Sequence, residues 1–374
     1  MHGLYVHIPF CLKRCAYCSF LSSEYCLDRA CQFIDALVKE IESLPQECTF
    51  TTLYIGGGTP TVLPCSLLET LLASLLNHKN FVQDSEKTIE ANPETLDREK
   101  LSLIKNFGIN RLSIGAQSLN NDELEILGRI HDSKGVCKAF RYARMAGFKN
   151  INIDLIFGIP GQTLTDWQRT LHKAITLNPE HISTYGLTVE EGTDLCHALN
   201  HHLIELPCED SVADMYEQAI DTLTGAGYIH YEISNFSKPG YACRHNLNYW
   251  NRGDYYGLGP GAYSFINEKR FSNIRDINLY NKKIIQGRKY REEEELLNKN
   301  QSLFESIFLG LRKTEGIKTE ELNERYQVDI IQQFHCHIEE LCARGLMIED
   351  SGFLRLTREG MLVSNEILCR FIDY

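Results

Sequence analysis

The sequence predicts an α/β protein built around parallel strands. Short runs of β-branched and aromatic residues alternate with longer amphipathic stretches through the first half of the chain, as expected for βαβ units. Three closely spaced cysteines follow the first of these runs, and the last part of the chain changes to a helix-rich pattern. These observations leave two architectures open, a doubly wound sheet and an open barrel of six β/α units.

The individual elements follow from this alternation. The predicted strands are Leu4–Ile8, Thr52–Ile55, Thr88–Ala91, Arg111–Ile114, Ile151–Phe157 and His181–Leu187. The predicted helices between them are Arg29–Leu44, Leu67–Leu76, Arg98–Phe107, Lys134–Ala146 and Asp166–Leu177. Because ligands of parallel α/β barrels bind at the carboxyl ends of the strands, the residues after each strand are candidates for a functional site.

A cysteine cluster follows the first strand. Cys11, Cys15 and Cys18 form a C-x-x-x-C-x-x-C run. Thiolates suit iron–sulfur clusters, zinc and copper(I), and a structural zinc site requires a fourth protein ligand. The next cysteines lie at the start of a predicted helix, so three thiolates would leave one metal position open for chemistry. A zinc site completed by His7 is the alternative.

Polar residues recur at or near the ends of the other strands. The second strand is followed by the glycine-rich stretch Gly56–Thr61, whose backbone can approach a ligand closely. Glu90 lies in the third strand, Gln117 follows the fourth with Arg129 beyond it, and Asp154 lies in the fifth. Each has a structural alternative, since either acid could pair with a barrel arginine and Gln117 could satisfy a loop carbonyl. Together they predict one lined pocket.

These residues and motifs resemble the radical S-adenosylmethionine (SAM) superfamily, in its branch related to oxygen-independent coproporphyrinogen III oxidase. The resemblance implies a partial (β/α)6 barrel, a [4Fe-4S] cluster on Cys11, Cys15 and Cys18, and SAM bound to the fourth iron. It also implies that further residues bind or flank these cofactors. They are Tyr5, Tyr17, Gly57, Gly58, Thr59, Glu90, Gln117, Arg129 and Asp154.

Two functions compete within this branch, the oxidase and a haem chaperone of the HemW type. The oxidase carries a fourth cysteine two positions after the third, where this chain has Phe20, and an extension before the cluster that is absent ahead of Cys11. The stretch His245–Trp250 matches the H-N-x-x-Y-W haem-binding motif of the chaperones, with Cys243 as a rival or second iron ligand. The resemblance therefore implies haem as a third cofactor, bound at His245, and argues against coproporphyrinogen III oxidase activity.

The chain is expected to divide into three parts. We predict a cluster- and SAM-binding barrel over 1–235, a haem-motif and connecting region over 236–298 with a close-approach loop at Gly257–Ser264, and a winged-helix-like lid or docking domain over 299–374. The elements predicted in the last part are helices Ser302–Leu311, Thr319–Tyr326 and Ile330–Arg344, a hairpin turning at Ser351–Gly352, and a helix Arg358–Phe371.

Charge and hydropathy indicate which classes of partner the chain can bind and which compartment it occupies. A formal net charge of −12 argues against nucleic acid, because phosphate binding relies on lysine and arginine. Fourteen cysteines without a signal peptide indicate a reducing cytoplasm, and no apolar run is long enough to span a bilayer. The expected partners are haem and haem-accepting proteins, with membrane association at most peripheral.

Overall fold

Six parallel strands form the centre of the computed structural model, which describes residues 1–371 without the side chain of His78. Neighbouring strands pair in chain order, and all six predicted strands are present. They are β1 (His2–Ile8), β2 (Thr49–Gly57), β3 (Asn80–Ala91), β4 (Arg111–Gln117), β5 (Ile151–Phe157) and β6 (His181–Gly186).

Helices pack on the apolar face of this sheet. In β1, Leu4, Val6 and Ile8 are fully buried, and α1 contributes Phe33 and Leu37 to the same core. The alternate residues of each strand point to the other face, which is polar. The helices are α1 (Leu27–Ser43), α2 (Cys65–His78), α3 (Arg98–Asn106), α4 (Asn121–Ile126), α5 (Ser133–Met145), α6 (Leu164–Leu177), α7 (Asp194–Asn200) and α8 (Glu209–Gly225).

Residues 229–296 extend the same sheet at both sides to twelve strands. Beyond β6 lie β8 (Asn235–Ser237) and β7 (Ile229–Glu232); beyond β1 lie β9 (Tyr255–Leu258), β10 (Tyr263–Ile266), β11 (Lys269–Asn273) and β12 (Arg291–Leu296). Helices α9 (Arg244–Trp250) and α10 (Ile277–Ile285) complete this region.

The glycine-rich loop Gly257–Ser264, expected near the pocket, makes its close approach to β1 at Gly259. Its φ is +92°, and a Cβ there would lie 2.4 Å from the carbonyl oxygen of His7, so only glycine fits without a shift. The loop contacts β1 and does not line the cavity at the strand ends described below.

The C-terminal domain contains six helices and a three-stranded sheet in its described part, which excludes residues 372–374. Its elements are α11 (Lys299–Gly310), β13 (Ile317–Lys318), α12 (Thr319–Tyr326), α13 (Ile330–Gln333), α14 (His335–Ala343), β14 (Met347–Asp350), β15 (Phe353–Leu356), α15 (Arg358–Leu362) and α16 (Ser364–Cys369). The predicted hairpin turns at Ser351 and Gly352, which both have positive φ, as a type I′ turn requires.

Two predicted helices of this domain are each broken in two. The helix expected over Ile330–Arg344 breaks at Phe334, whose backbone (φ −107°, ψ 18°) leaves helical geometry. The break accompanies burial of the Phe334 ring against Phe304 and Phe371. The helix expected over Arg358–Phe371 breaks in the same way at Val363.

The C-terminal domain packs at the amino-terminal end of the barrel strands. Helix α11 contacts α9, and α9 lies against the first half of β2 through the hydrogen bond between His245 and Thr52. Arg252, just after α9, forms ion pairs with Glu305 of α11 and Glu268. The domain therefore lies at the opposite end of the barrel from the cysteine loop, residues 11–18, and within residues 1–371 it does not cover that loop as a lid would. The docking role stays a prediction.

Candidate cofactor site

A cavity of about 450 Å³ opens at the carboxyl ends of β1 to β6. Eleven of the thirteen residues predicted to bind cofactors line it, although they come from six different segments of the chain. They are Cys11, Cys15, Tyr17, Cys18, Gly57, Gly58, Thr59, Glu90, Gln117, Arg129 and Asp154. Tyr5 and His245 do not line it.

The three thiols of the cysteine loop are free and partly exposed in this cavity. Thr59 donates a hydrogen bond to Sγ of Cys11 (3.6 Å), and Nη1 of Arg129 donates one to Sγ of Cys15 (3.1 Å). Burial raises the pKa of the Cys11 and Cys18 thiols. Hydrogen bonds to two of the three sulfurs fit a role as thiolate ligands, because they stabilise negative charge on sulfur.

A zinc site completed by His7 does not fit the arrangement of these side chains. Among the described residues, no three His, Cys, Asp or Glu side chains surround a single ion position. His7 is also engaged at both ring nitrogens, by the Tyr5 hydroxyl (3.0 Å) and by the carbonyl oxygen of Leu21 (2.8 Å). A cluster binds each thiolate on a separate iron, so its ligands need not converge on one ion. The donor set therefore fits a cluster with three protein ligands.

Glycines let the loop after β2 approach the cysteine loop. Gly57 has φ +114°, which favours glycine. A Cβ on Gly58 would lie 2.7 Å from the carbonyl oxygen of Phe10 and 2.9 Å from Sγ of Cys11. The N–H of Gly57 donates to Oε2 of Glu90 (3.2 Å), which joins the second and third strands at the cavity floor.

The two acids of the cavity are held by hydrogen bonds and not by arginine. Tyr54 donates its hydroxyl to Oε1 of Glu90 (2.7 Å), and burial raises the pKa of Glu90 to about 7. Ser113 and Asn152 donate to the two carboxylate oxygens of Asp154, whose pKa is also raised by burial. Neither acid forms an ion pair within the described chain, although the positive charge of the buried Arg111 acts on both and opposes the rise in their pKa.

Arg129 brings a buried positive charge to the cavity wall. Its Nη2 donates to Oδ1 of Asn92 (2.6 Å) and to the carbonyl oxygen of Gly115 (2.9 Å). Its buried Nε has no hydrogen-bond partner among the described residues, which leaves one donor available to a ligand. Gln117 lies nearby with φ +65°, a left-handed conformation that is uncommon outside glycine and typical of functional sites.

The two tyrosines predicted beside the cofactors take different positions. Tyr17 lines the cavity and packs on a small apolar cluster around Ile156. Tyr5 lies beneath the cavity, with its ring 6.3 Å from that of Tyr54, and reaches the cavity only through Tyr54. Sequence reasoning missed two further site residues, Tyr54 of β2 and Asn92 just after β3. Both lie on the same face of the sheet as Glu90, as the two-residue period of a strand could have shown.

His245 of the predicted haem motif is 1% exposed and lies inside the barrel below Tyr54. Its Nδ1 lies 2.7 Å from Oγ1 of Thr52, its Nε2 lies 2.9 Å from the hydroxyl of Tyr249, and its ring stacks on Tyr54 at 5.2 Å. Burial lowers the pKa of His245 to about 3, so the ring is neutral at pH 7. Both ring nitrogens are engaged, and His245 offers no free ligand atom in this conformation.

The rival ligand Cys243 is also closed off. It is fully buried, its thiol lies 3.6 Å from Oε1 of Glu86, and burial raises its pKa to about 12. The aromatic residues of the motif are more accessible. Tyr249 and Trp250 line a second cavity of about 260 Å³ between α9 and α11. Its other lining residues are Arg252, Gly253, Tyr255, Phe265, Arg270, Glu305 and Leu309.

Comparisons with known proteins cover nearly the whole chain. A family model described as the radical SAM superfamily matches residues 5–174, and one described as the HemN C-terminal domain matches residues 297–363. The chain is 36% identical to the heme chaperone HemW of Bacillus subtilis strain 168, over 100% of this chain and 99% of that protein. It is 33% identical to the heme chaperone HemW of Escherichia coli K12, over 99% and 98%.

A solved structure supports the fold. The coproporphyrinogen III oxidase HemN of Escherichia coli, a radical SAM enzyme, superposes with a TM-score of 0.87 at 24% identity, covering 99% of this chain and 89% of that one. The predicted fold class, a radical SAM partial barrel with a small C-terminal domain, is confirmed. No helix within residues 1–371 has the length and apolar composition needed to cross a bilayer.

Proposed function

The chain belongs to the HemW family of the radical SAM superfamily, and from this membership we propose that it binds haem and transfers it to acceptor proteins. The observation that carries the proposal is the similarity to curated haem chaperones along the full length of the chain. The motif His245–Trp250 agrees with it, because Tyr249 and Trp250 present aromatic surface beside a cavity where a porphyrin face could pack.

Haem ligation by His245 requires a local rearrangement. The hydrogen bonds between its ring and the hydroxyls of Thr52 and Tyr249 would have to break before a nitrogen could reach iron. Each such bond contributes about 1 kcal/mol, and an outward movement of α9 would also break the hydrogen bonds from the N–H groups of Arg244 and His245 to Glu86. The iron–ligand bond has to offset these losses. We propose that α9 moves outward when haem binds, which exposes His245 next to Trp250.

The same proposal assigns the cavity to a [4Fe-4S] cluster and SAM. Cys11, Cys15 and Cys18 would hold three irons of the cluster. When bound, the cluster and SAM supply one-electron reductive chemistry. The guanidinium of Arg129 would pair with the SAM carboxylate. The ionised carboxylate of Glu90 would accept a hydrogen bond from the SAM amino group.

The remaining predicted residues would complete this site. Gly57 and Gly58 would let the backbone approach SAM, and the hydroxyl of Thr59 supports Cys11. Gln117 and Asp154 would bound the nucleoside side of the pocket. Tyr17 would flank the cluster, while Tyr5 would support the site through Tyr54. Reducing conditions, as in the cytoplasm, would preserve the thiols.

Because the cofactor cavity is intact, an alternative function has to be tested, the oxidation of coproporphyrinogen III. Ser19 and Phe20 occupy the positions after Cys18, and Phe20 is 69% exposed at the mouth of the cavity. We propose that the chain lacks this activity, because the thiol that the oxidase carries at the position of Phe20 is missing.

A paired assay on anaerobically reconstituted protein tests the proposal. Haem is titrated by absorbance, haem transfer to an apo haem protein is followed spectroscopically, and coproporphyrinogen III turnover is measured with SAM and reductant. We expect about one haem per chain, transfer to the acceptor and no protoporphyrinogen. Turnover without appreciable haem binding would refute the proposal.

Variants then locate the ligand. His245→Ala should weaken haem binding without loss of the cluster, whereas His172→Ala, at an exposed position of α6, should leave both unchanged. Unchanged haem spectra in His245→Ala would indicate that Cys243 is the iron ligand instead. In that case Cys243→Ser should change the haem spectra.

A further inference from the structure

A buried arginine inside the barrel has no partner. Arg111, the first residue of β4, is 2% exposed. Its side chain forms no hydrogen bond or ion pair with any residue that the structure describes, and its Nε is buried without an acceptor. An unpaired buried charge is costly, so a state of the protein in which Arg111 gains a partner is favoured by that pairing.

The carboxylate of Glu86, in β3, holds the start of the haem-motif helix α9. Its Oε2 accepts a hydrogen bond from the N–H of Arg244, and its Oε1 accepts one from the N–H of His245, each at 3.1 Å. The residue before the helix, Cys243, makes no capping hydrogen bond with its own side chain. Glu86 therefore supplies the acceptors for the first N–H groups of α9 and fixes the position of His245.

Glu86 and Arg111 lie side by side on the interior face of the sheet. Arg111 pairs with Thr88 across β3 and β4, and Glu86 precedes Thr88 by two residues, which places it on the same face. Burial lowers the pKa of Arg111, but the nearby Cys243 and Glu86 outweigh burial and raise that pKa above its ordinary value. The carboxylate of Glu86 thus has two possible partners, and in this structure it is bonded to α9.

We propose that Glu86 is a latch that positions His245: it holds α9 against the barrel, and it pairs with Arg111 when α9 moves outward. The new ion pair would compensate for the hydrogen bonds lost from α9, so opening leaves neither charge unpaired. This inference rests on the proposed ligation of haem by His245, and it names the residues that set how often α9 opens.

Alkylation of Cys243 measures this opening without haem. Cys243 is fully buried, so iodoacetamide reaches it only when α9 opens or the chain unfolds. When opening is fast, the alkylation rate follows the open population. Cys48, a buried cysteine between α1 and β2, reports unfolding alone. The readout is the ratio of the Cys243 rate to the Cys48 rate in the cluster-reconstituted full chain, measured by peptide mass spectrometry.

Glu86→Gln should raise this ratio roughly 10-fold, because the amide keeps one acceptor oxygen and loses one charge-assisted hydrogen bond. Its apparent affinity for haem should rise by a similar factor, since that affinity scales with the fraction of open molecules. A residue with a structural role alone would weaken haem binding when replaced. An unchanged ratio, or weaker haem binding by Glu86→Gln, would overturn the proposal.

Glu40→Gln is the matched control. Glu40 is 2% exposed and also accepts a backbone hydrogen bond, from the N–H of Gly259 at 2.8 Å, but it belongs to α1 on the apolar face of the sheet. Its replacement should raise neither the alkylation ratio nor the haem affinity. An equal rise of the ratio in both variants would overturn the latch.

Arg111→Met tests the same latch from the other side and covers the case in which Glu86→Gln does not fold. Methionine removes the charge and keeps a long side chain, so Glu86 loses its partner in the open state. The ratio should fall and haem binding should weaken; an unchanged or higher ratio would contradict the pairing with Arg111. Absence of haem binding in the wild type would refute the proposed function, whereas the alkylation ratios test the latch without haem.

Discussion

Replacement of Gly58 by alanine should disrupt the cluster site by steric contact alone. The Cβ would lie 2.7 Å from the carbonyl oxygen of Phe10 and 2.9 Å from Sγ of Cys11, closer than real Cβ atoms approach. The φ of Gly58 is not positive, so no backbone strain adds to the contact. Both neighbours belong to the cysteine loop, and the first predicted cluster ligand must move.

The magnitude follows from overpacking in rigid surroundings, which typically costs about 1–3 kcal/mol. If that cost falls on the cluster-binding geometry, affinity for the cluster should drop roughly 5- to 150-fold, because about 1.4 kcal/mol corresponds to a factor of ten. Iron and sulfide analysis after anaerobic reconstitution measures the occupancy, and urea unfolding of the cluster-free chain measures the cost to the fold.

Gly225→Ala is the matched control, because a Cβ at this last residue of α8 meets no atom within 4 Å. Alanine there should stabilise the helix by up to about 1 kcal/mol and leave the cluster unchanged. Wild-type iron content and wild-type stability in Gly58→Ala would refute the reasoning, since they would mean that the loops separate freely at this contact.

Three further predictions concern buried charges. Arg129→Lys should weaken SAM binding by roughly 10- to 100-fold in equilibrium dialysis, because a lysine ammonium cannot keep the hydrogen bonds of the guanidinium to Cys15 and Asn92 and also donate to a ligand. An unchanged affinity would exclude contact between Arg129 and SAM. Arg252→Ala should lower the free energy of unfolding in urea by roughly 2 kcal/mol. Breaking a fully buried ion pair costs about 3–5 kcal/mol, and the loss here should be smaller because Glu268 and Glu305 are partly exposed. Hydrogen bonding to Arg252 lowers the pKa of Glu268 from 4.5 to about 2, so this stabilisation is complete above pH 4.5 and is lost as the pH falls towards 2. The stability difference between wild type and Arg252→Ala should shrink over that interval, and a constant difference would contradict the pairing.

The local elements of the barrel could be predicted because each has one buried face. The strand Ile151–Phe157 was predicted with the bounds that the structure shows, since a run of apolar and β-branched residues reports burial directly. Breaks such as Phe334 could not be predicted, because they depend on which distant rings pack around one side chain.

The chemistry of the candidate site can be predicted without the structure, because it consists of three thiols at short spacing and a set of polar residues after successive strands. Parallel topology brings such residues to one edge, so their grouping follows from the order of the elements. The three-dimensional arrangement was needed to show that both nitrogens of His245 are engaged and that the C-terminal domain lies at the far end of the barrel. Hydrogen-bond partners and domain positions depend on contacts between residues far apart in the chain, about which local periodicity carries no information.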